Sequence, residues 1–402
     1  MKKICRILCA ALAALMCVSV IGCGKKKQNN KKASEYDYMS QYDGGTIGYI
    51  VSEEGKYGII DAKGNYIVEP TFERIFSTLS ENLLIAQKDQ KLVYIDMKGN
   101  VIIETDADVL DEFYDGAAAC CYLQKDTETY TYSYISKTTG APINDTVYYS
   151  TKAFSEGCGV CCDNETHLYG YVKADGKYLI KPQYQAAGSF HSGLAPVYAN
   201  GKWGFINKDG TFVIAPAYDN VSVFGDDGLC RVCIDKKWGY IDTTGKTVIE
   251  PRYTELNEFS EGYAVVYDGT AYGVIDKTGK YIIEPAYDNI YPCSEGYFAV
   301  FKDGKWGFAD TAGKIVIDLS YYFVSSFSEG VALVQKDVDS LCGYIDKTGK
   351  QVIAPSIKTG GYFRNGLAVA QSTDELYGVI DKTGSFAVPA KYTSIIEILI
   401  EK

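Results

Sequence analysis

The chain has 402 residues, a net charge of −11, 47% apolar residues and only ten prolines. This composition excludes a disordered chain. Eight of the 40 basic residues lie in the first 32 positions and all 51 acidic residues follow them, so residues 33–402 carry a net charge of −19 (32 basic against 51 acidic). Such a surface repels phosphate backbones, and nucleic acid is therefore not expected as a partner.

The first 22 residues have the pattern of a bacterial export signal. Three basic residues among the first six are followed by an apolar run that ends at Ile21. Val20-Ile21-Gly22-Cys23 resembles a lipobox, the site where a lipoprotein is cleaved before a lipid-carrying cysteine. We therefore expect residues 1–22 to be a lipoprotein signal peptide and Cys23 to carry the lipid, with the chain facing outward from a bacterial cell membrane. An ordinary secretory signal or a single membrane anchor is the alternative, and the run is near the lower limit for a spanning helix.

Residues 23–35 are polar and contain five lysines, which is typical of a flexible tether. Beside a membrane, these lysines would attract anionic headgroups and reinforce a lipid anchor. A solvated spacer is the plainer interpretation. We expect the folded domain to comprise residues 36–402.

Nine of the 13 cysteines lie beyond Cys23. Two pairs, Cys158 with Cys161 and Cys230 with Cys233, have the CxxC spacing of zinc knuckles. They fall in predicted strands, however, where residues three apart point to opposite faces. We therefore expect buried apolar thiols and no metal or cofactor, while pairing of some thiols into disulfides stays open.

A large, usually aromatic residue followed by glycine recurs along the chain. Two degenerate copies, at Leu92-Val93 and Tyr132-Ser133, fill the gap after the first pair, so about ten units of about 35 residues span Gly58 to Gly378. The clear pairs are Tyr57-Gly58, Tyr169-Gly170, Trp203-Gly204, Trp238-Gly239, Tyr272-Gly273, Trp306-Gly307, Cys342-Gly343 and Tyr377-Gly378.

The unit in its regular form, residues 260–288, predicts antiparallel strands joined by tight turns. β-branched and aromatic residues dominate the strands, and Asp-Gly and Asp-Lys-Thr-Gly have turn chemistry. Pro285 cannot donate to a ladder and predicts the end of the third strand. The predicted strands are 263–267, 272–275 and 281–283, with a short fourth strand at 287–291.

Adjacent apolar residues in the third strand, such as Val248-Ile249 and Val352-Ile353, predict sheets that are covered on both faces. Small sheets of this kind bury their faces against neighbouring repeats. We predict an all-β fold of tandem repeats that forms a β-propeller-like toroid, in which the first and last sheets join. An open β-solenoid superhelix is the alternative, because ten units are many for a ring and each is short for a propeller blade.

The pattern K-W-G-[YF]-I-D-x-x-G-x-x-V-I-x-P-x-Y recurs most clearly at 203–218, 238–253 and 272–287. It resembles the WG-repeat (KWG) family of bacterial proteins. The resemblance covers nearly the whole chain after the tether and is weak from Leu92 to Ser150. The family implies an exported or surface β-repeat protein and supplies no catalytic residues.

Trp203, Trp238 and Trp306 occupy the position that tyrosine takes in other units, which favours core packing over a special site. The glycine after each of them would let a neighbouring backbone approach closely. The functional alternative is an aromatic ladder for sugars or a cage for quaternary amines.

Two acidic motifs also recur, and we interpret both as structural. In Ile-Asp-x-x-Gly, one aspartate suffices to form an Asx turn, whereas a calcium loop needs several converging oxygens. In Ser-Glu-Gly, we expect the glutamate to fix a connection rather than to bind a cation. The residues are Asp61, Asp96, Asp242, Asp276, Asp346 and Asp381 in the first motif, and Glu156, Glu261, Glu295 and Glu329 in the second.

No catalytic motif is visible, and His167 and His191 lie in or beside the fourth unit, where His191 replaces the usual Ser of a connector. We expect a non-catalytic, membrane-anchored scaffold that binds an envelope protein or a cell-wall polysaccharide. A passive structural envelope protein and a propeller-type glycan hydrolase with two carboxylates outside the repeat are the alternatives. Residues 105–165 depart most from the repeat and are the candidate partner site, unless they only reflect relaxed constraint.

Overall fold

The structure, a computed structural model, describes residues 48–76 and 78–400. Regular structure in these residues is β-strand, and none of them forms a helix long and apolar enough to cross a membrane. The predicted signal peptide, Cys23 and the tether lie outside the described residues.

The described residues form forty strands. In chain order they are β1 (Gly48–Glu53), β2 (Lys56–Ile60), β3 (Tyr66–Phe72), β4 (Arg74–Ile75), β5 (Thr78–Leu79), β6 (Leu84–Lys88), β7 (Lys91–Ile95), β8 (Val101–Glu104), β9 (Val109–Leu110), β10 (Ala117–Gln124), β11 (Thr129–Ser136), β12 (Tyr148–Ser155), β13 (Cys158–Asp163), β14 (Tyr169–Lys173), β15 (Tyr178–Tyr184), β16 (Ala186–Ala187), β17 (Ala195–Ala199), β18 (Lys202–Ile206), β19 (Phe212–Tyr218), β20 (Asn220–Val221), β21 (Leu229–Ile234), β22 (Lys237–Asp242), β23 (Thr247–Tyr253), β24 (Glu255–Leu256), β25 (Tyr263–Tyr267), β26 (Tyr272–Asp276), β27 (Tyr281–Tyr287), β28 (Asn289–Ile290), β29 (Tyr297–Lys302), β30 (Lys305–Asp310), β31 (Ile315–Tyr321), β32 (Phe323–Val324), β33 (Val331–Gln335), β34 (Cys342–Asp346), β35 (Gln351–Ile357), β36 (Thr359–Gly360), β37 (Leu367–Gln371), β38 (Tyr377–Asp381), β39 (Phe386–Tyr392) and β40 (Ser394–Ile400).

These strands build ten successive sheet units, which we number 1 to 10. From unit 5 onward each unit is a four-stranded antiparallel meander in chain order, such as β24 to β27 in unit 7. A two-residue strand forms one edge and a seven-residue strand the other. Unit 1 contains β1 to β3, and unit 2 contains β4 and β6 to β8. Units 3 (β9 to β11) and 4 (β12 to β15) share one sheet, because Tyr132 pairs with Tyr148.

The last strand completes the first sheet. Strand β40 pairs antiparallel with β1, with Ile396 opposite Ile50, and so takes the place that a two-residue strand has in the other units. Val379 and Tyr392 of unit 10 share a buried core with Tyr49 of unit 1. The two ends of the array are therefore joined, which confirms the propeller-like ring and makes the open solenoid wrong.

Neighbouring units bury their faces against each other. One core joins Phe308 and Ile317 of unit 8 to Val324, Phe327 and Val334 of unit 9, all of them buried. Apolar burial contributes about 25 cal/mol per Å², and this contribution is repeated from junction to junction. Stability thus arises between units, as in other repeat proteins.

In the regular units, the third strand is longer than predicted, with seven residues. Strand β19 continues through Pro216, with Trp203 opposite Tyr218 but Phe205 opposite Ile214. The strand therefore carries extra residues that form a bulge, and a proline in a bulge need not donate to the ladder. The prediction that proline ends this strand was wrong for this reason.

The glycine after the aromatic residue makes room for the bulge. A Cβ atom on Gly204 would lie 2.6 Å from the Ile214 carbonyl oxygen and 2.7 Å from the Pro216 nitrogen. This confirms the close backbone approach predicted for the glycine.

The sheets are covered on both faces, as predicted: Val300 and Ala309 of unit 8 pack in the core shared with unit 7, and Phe308 and Ile317 in the core shared with unit 9. The third strand, however, contributes buried residues to only one of the two faces. Ile249 and Ile353 are buried, whereas their neighbours Val248 and Val352 are exposed. Ile249 packs against the following unit, whereas Val248, on the opposite face of the strand, is open to solvent.

All nine cysteines of the described residues are free and buried. Cys158 packs in a core with Phe190, and Cys161 packs in a different core with Tyr134, so the two thiols point to opposite faces. Burial raises the pKa of the Cys158 thiol to about 11 and that of Cys161 to about 12. Their burial confirms the interpretation as apolar core residues.

Candidate functional site

The recurring aromatic position contributes to the cores. Trp306 is buried, with its ring 4.4 Å from that of Tyr291 and 4.9 Å from that of Phe301. Trp203 and Trp238 are half-buried and pack against the cores that join their units to the next. Core packing is therefore supported over an exposed aromatic ladder.

The aspartate of Ile-Asp-x-x-Gly closes a turn. Asp276 Oδ1 accepts hydrogen bonds from the Thr278 hydroxyl at 2.6 Å, the Thr278 amide at 2.8 Å and the Lys280 amide at 3.1 Å. These bonds, above all the one from the hydroxyl, hold the pKa of Asp276 below its ordinary value. The Asx turn is confirmed. Within the described ranges, no group of three or more potential metal ligands comes together.

Each Ser-Glu-Gly turn lies within a unit, between the first strand of that unit and the following strand. Glu295 and Gly296 both have positive φ, and Ser294 and Tyr297 close the turn with bonds in both directions. The Glu295 carboxylate accepts a hydrogen bond at 2.9 Å from the amide of Gly330, in the equivalent turn of unit 9. We call this contact, from a turn carboxylate to the glycine amide of the next unit, the turn latch. It occurs at Glu81–Gly116, Asp115–Gly157, Glu156–Gly193, Glu261–Gly296, Glu295–Gly330 and Glu329–Gly366.

A lysine from the following turn completes four of these latches. Lys347 of unit 9 lies 3.2 Å from Glu295 Oε2 and donates to the Glu295 carbonyl oxygen, also at 3.2 Å. The carboxylate thus lies between a backbone amide and an ammonium group, which confirms the connector role of Ser-Glu-Gly. The other three pairs are Glu81–Lys137, Glu156–Lys208 and Glu329–Lys382.

The latch is interrupted in units 5 and 6. Ser192 takes the place of glutamate in unit 5 and donates to the Gly225 carbonyl oxygen at 3.2 Å. In unit 6, the loop 225–229 has one residue more than the equivalent turns. It is closed by bonds from Gly225 to Leu229 and from Gly228 to Gly225.

In the longer loop 225–229, the Asp227 carboxylate has different hydrogen-bond partners from those of the latch glutamates. Asp227 Oδ2 pairs with Lys277 of unit 7 at 2.9 Å, but Oδ1 accepts the Leu229 amide of its own loop at 3.1 Å. Gly262, the latch glycine of unit 7, therefore has no carboxylate partner among the described residues.

A cavity of about 460 Å³ opens at this interruption. Its lining comes from turns and strand ends of units 5, 6 and 7, including His191, Arg231, Glu258 and Gly262. The volume lies in the range of small-molecule sites, roughly 300–1,000 Å³.

Charges of both signs line the cavity. Arg231 donates to the Leu256 carbonyl oxygen and pairs with Glu258, both at 3.0 Å. The Asp226 side chain is fully exposed, with His191 Nε2 at 3.8 Å. The lining carries four carboxylates (Asp226, Asp227, Glu258, Glu261) against one arginine and one lysine, a net charge of −2 with neutral histidine.

Two lining nitrogens are buried without a hydrogen-bond partner in the part of the chain that the structure describes: His191 Nδ1 and Arg231 Nε. Such an atom typically costs about 1–3 kcal/mol, and both nitrogens are shielded from the open space of the cavity. Phe259 adds an apolar ring, with the Lys277 ammonium 5.6 Å from its centroid. The cavity therefore offers donors, acceptors and an aromatic face to a polar ligand.

The cavity lies outside residues 105–165, the candidate partner site from the sequence. His191 lines it, and its turn is closed with Leu194 in both directions, so the connector interpretation also holds. The signal that sequence reasoning missed is the extra residue in the loop 225–229, since eight other units keep a two-residue turn at this place.

A comparison with curated proteins finds no match to the sequence. Among solved structures, the crystal structure of a eukaryotic initiation factor is similar, with a TM-score of 0.54 at 10% identity over 89% of this chain and 99% of that chain. BamB from Moraxella catarrhalis gives a TM-score of 0.32 at 11% identity over 77% and 96%. Hsv2 from Kluyveromyces lactis gives 0.34 at 10% over 81% and 98%.

The likeness to the initiation factor concerns the fold alone and agrees with a propeller-like ring. The family model of the WG containing repeat matches eight segments, residues 57–91, 169–203, 203–238, 238–269, 272–306, 306–337, 343–374 and 377–398. These segments make up more than half of the sequence, and the chain therefore belongs to the family of proteins built from WG containing repeats.

Proposed function

We propose that the chain is a non-catalytic, lipid-anchored scaffold of the bacterial cell envelope, and that it binds an envelope protein or a cell-wall glycan through the cavity of units 5 to 7. One observation carries the proposal: the cavity opens where the turn latch is interrupted. Elsewhere the same turn holds neighbouring units together. Departures from a locally consistent pattern are expected at functional sites.

The cavity is suited to a polar ligand. Arg231 and the Gly262 amide present donors, Asp226 and Glu258 present acceptors, and the Phe259 ring can pack against the apolar face of a sugar or a side chain. Latches remain on both sides of the interruption, at Gly193 and at Gly296. The ligand groups are therefore held on a rigid frame.

The binding test compares two arginine variants in a pull-down from envelope extract and on a glycan array. Arg231→Met removes the cavity guanidinium. Arg252→Met is the matched control, because Arg252 also donates to a carbonyl oxygen, at 2.8 Å, and lies over a tyrosine ring, but outside the cavity. We expect saturable capture by the wild type and by the control, and at least tenfold weaker capture by Arg231→Met. Equal capture by both variants would refute the site, and no saturable partner at all would favour a passive structural role.

The anchor is tested separately. The 13-residue tether 23–35 would let the ring sample on the order of 20 Å from the membrane. Cells fed a clickable fatty acid should label the wild type, and Cys23→Ala should lose both the label and the membrane fraction. Retention of the label by the variant would refute lipidation at Cys23.

A glycan hydrolase is the second candidate, because four carboxylates line one cavity. Glycosidases use two carboxylates about 5–10 Å apart. Two of the four, Asp227 and Glu258, are already paired with Lys277 and Arg231, which favours binding over hydrolysis. Release of reducing ends from envelope glycans by the wild type, lost in Asp226→Asn, would replace the binding proposal with this one.

A further inference from the structure

In the turn of unit 7, the glycine amide lacks the carboxylate that six equivalent glycine amides hold. In unit 9, the Gly330 amide and the Lys347 ammonium hold the Glu295 carboxylate at 2.9 and 3.2 Å. Units 3, 5 and 10 hold a carboxylate with the same two donors. Unit 7 has both donors, Gly262 and Lys277, and both line the cavity. Lys277 is paired with Asp227 at 2.9 Å, but the Gly262 amide has no acceptor among the described residues.

The turn of unit 7 offers a second amide as well. In unit 8, the amides of Glu295 and Gly296 both donate to the Glu261 carboxylate, at 2.7 and 2.8 Å. The equivalent amides of unit 7 are those of Glu261 and Gly262, and neither has an acceptor among the described residues. Both residues have positive φ, as in the occupied turns. Successive amides in such a turn form a nest that favours an anion.

We infer that this turn is an open carboxylate site, and that the ligand of the cavity is an amino-acid-type zwitterion, either a free amino acid or a short peptide carried by a larger envelope ligand. Its carboxylate would lie on the Glu261 and Gly262 amides beside Lys277, where a glutamate of the chain itself lies in other units. The inference rests on the proposed function, because it takes the cavity as the ligand site and names the ligand's chemical class.

The charge of the cavity favours a zwitterion over a simple carboxylate. The lining carries a net charge of −2, so an anion alone would add to the repulsion among its carboxylates. An ammonium group beside the carboxylate cancels that cost. Its partner would be Asp226, which is fully exposed, with His191 Nε2 at 3.8 Å.

The first test titrates the full chain by calorimetry with L- and D-amino acids and glycyl dipeptides, each beside its N-acetyl and C-terminal amide derivative. We expect at least one zwitterion to bind, and both of its derivatives to bind at least tenfold more weakly. Lys277→Met should weaken binding at least tenfold. Lys347→Met is the matched control, because Lys347 belongs to an occupied latch outside the cavity, and binding should not change.

The second test places a glutamate of the chain itself in the carboxylate site. Deleting Asp226 and introducing Gly225→Ser and Asp227→Glu restores the Ser-Glu-Gly turn in unit 6, so that the new glutamate can reach the Gly262 amide. We expect at least tenfold weaker zwitterion binding with an unchanged or higher Tm. If this variant fails to fold, the calorimetric titration of Lys277→Met is the test of the carboxylate site.

The outcomes separate the two proposals. Equal zwitterion binding by wild type, Lys277→Met and the filled variant overturns the carboxylate site. If no zwitterion binds while Arg231→Met still abolishes capture of an envelope partner, the carboxylate site is wrong and the proposed function stands. If capture is also unaffected by Arg231→Met, both are wrong.

Discussion

The carboxylate of Glu397 in the last strand lies against the guanidinium of Arg364 in unit 10; Glu397 is buried and the Arg364 side chain is 11% exposed. Strand β40 completes unit 1, so this ion pair joins the last unit to the first. Burial raises the pKa of the Glu397 carboxyl, and Arg364 opposes that rise. The closing junction thus uses an ion pair where six other junctions use the turn latch.

Removing one partner of the closing pair should weaken the ring strongly. Glu397→Ala removes one carboxylate of a largely shielded ion pair, and removing one partner of a buried pair typically costs about 3–5 kcal/mol. Urea unfolding of the full chain measures this loss. Ile396→Ala is the control, because Ile396 lies on the same strand with its side chain exposed. A loss no larger than that of the control would contradict the closing role.

Removing one latch carboxylate should cost less. Glu295→Ala breaks the bond from Gly330 and the partly exposed pair with Lys347, and we expect a loss of about 1–2 kcal/mol in the free energy of unfolding. The exposed Glu284 on β27 gives the control variant Glu284→Ala. Indistinguishable unfolding curves for the two variants would show that the latch does not stabilise the ring.

The glycine of the repeated pair should not tolerate even a methyl group. Gly204→Ala places a Cβ atom within 2.6 Å of the Ile214 carbonyl oxygen, and forced overpacking of this kind costs about 1–3 kcal/mol. Gly361→Ala is the matched control, because its Cβ atom would meet backbone only at 3.6 Å. Equal thermal unfolding of the two variants would contradict the close approach.

Acid should destabilise the ring through its Asx turns. The hydroxyl of a nearby threonine holds the pKa of Asp242, Asp276, Asp346 and Asp381 below the ordinary value of 3.8. Folding therefore favours the ionised form: the stabilisation is present above pH 3.8 and is lost as the pH falls through the folded-state pKa.

Replacing the four aspartates by asparagine keeps the hydrogen bonds of the turn but removes the ionisable group, so it isolates the effect of carboxyl titration. Asn207 already forms this turn, accepting the Asp209 and Thr211 amides at 3.1 and 3.0 Å. We expect the fourfold Asp→Asn variant to lose less Tm than the wild type between pH 5 and pH 2. Parallel curves for the two proteins would contradict the assignment.

Much of the fold follows from local chemistry that the sequence displays. The Asp276 turn, the positive φ of Glu295 and Gly296 and the close approach at Gly204 each depend on residues within one unit. Because the unit is repeated, one correct interpretation serves many copies. The joining of the ends was predictable only as one of two alternatives, since the pairing of Ile50 with Ile396 is a long-range contact.

The errors arose where a position depends on its neighbours in space. Pro216 lies in a bulge that only the register with Trp203 and Phe205 reveals. The cavity is formed by three units, and it depends on one added residue in the loop 225–229, a change that is small beside the irregularity of 105–165. Aligning the turns of all units, rather than their strands, would have located it.

The Gly262 amide gives the most direct test of the cavity as the ligand site. The full chain, labelled with ¹⁵N-glycine, is titrated with the envelope ligand captured in the pull-down, and the glycine amide resonances are followed by NMR. We expect a saturable shift of the Gly262 resonance, whereas Gly330, whose amide already donates to Glu295 at 2.9 Å, should not move. Saturation without any shift at Gly262, or with equal shifts at Gly262 and Gly330, would contradict binding at the interrupted latch.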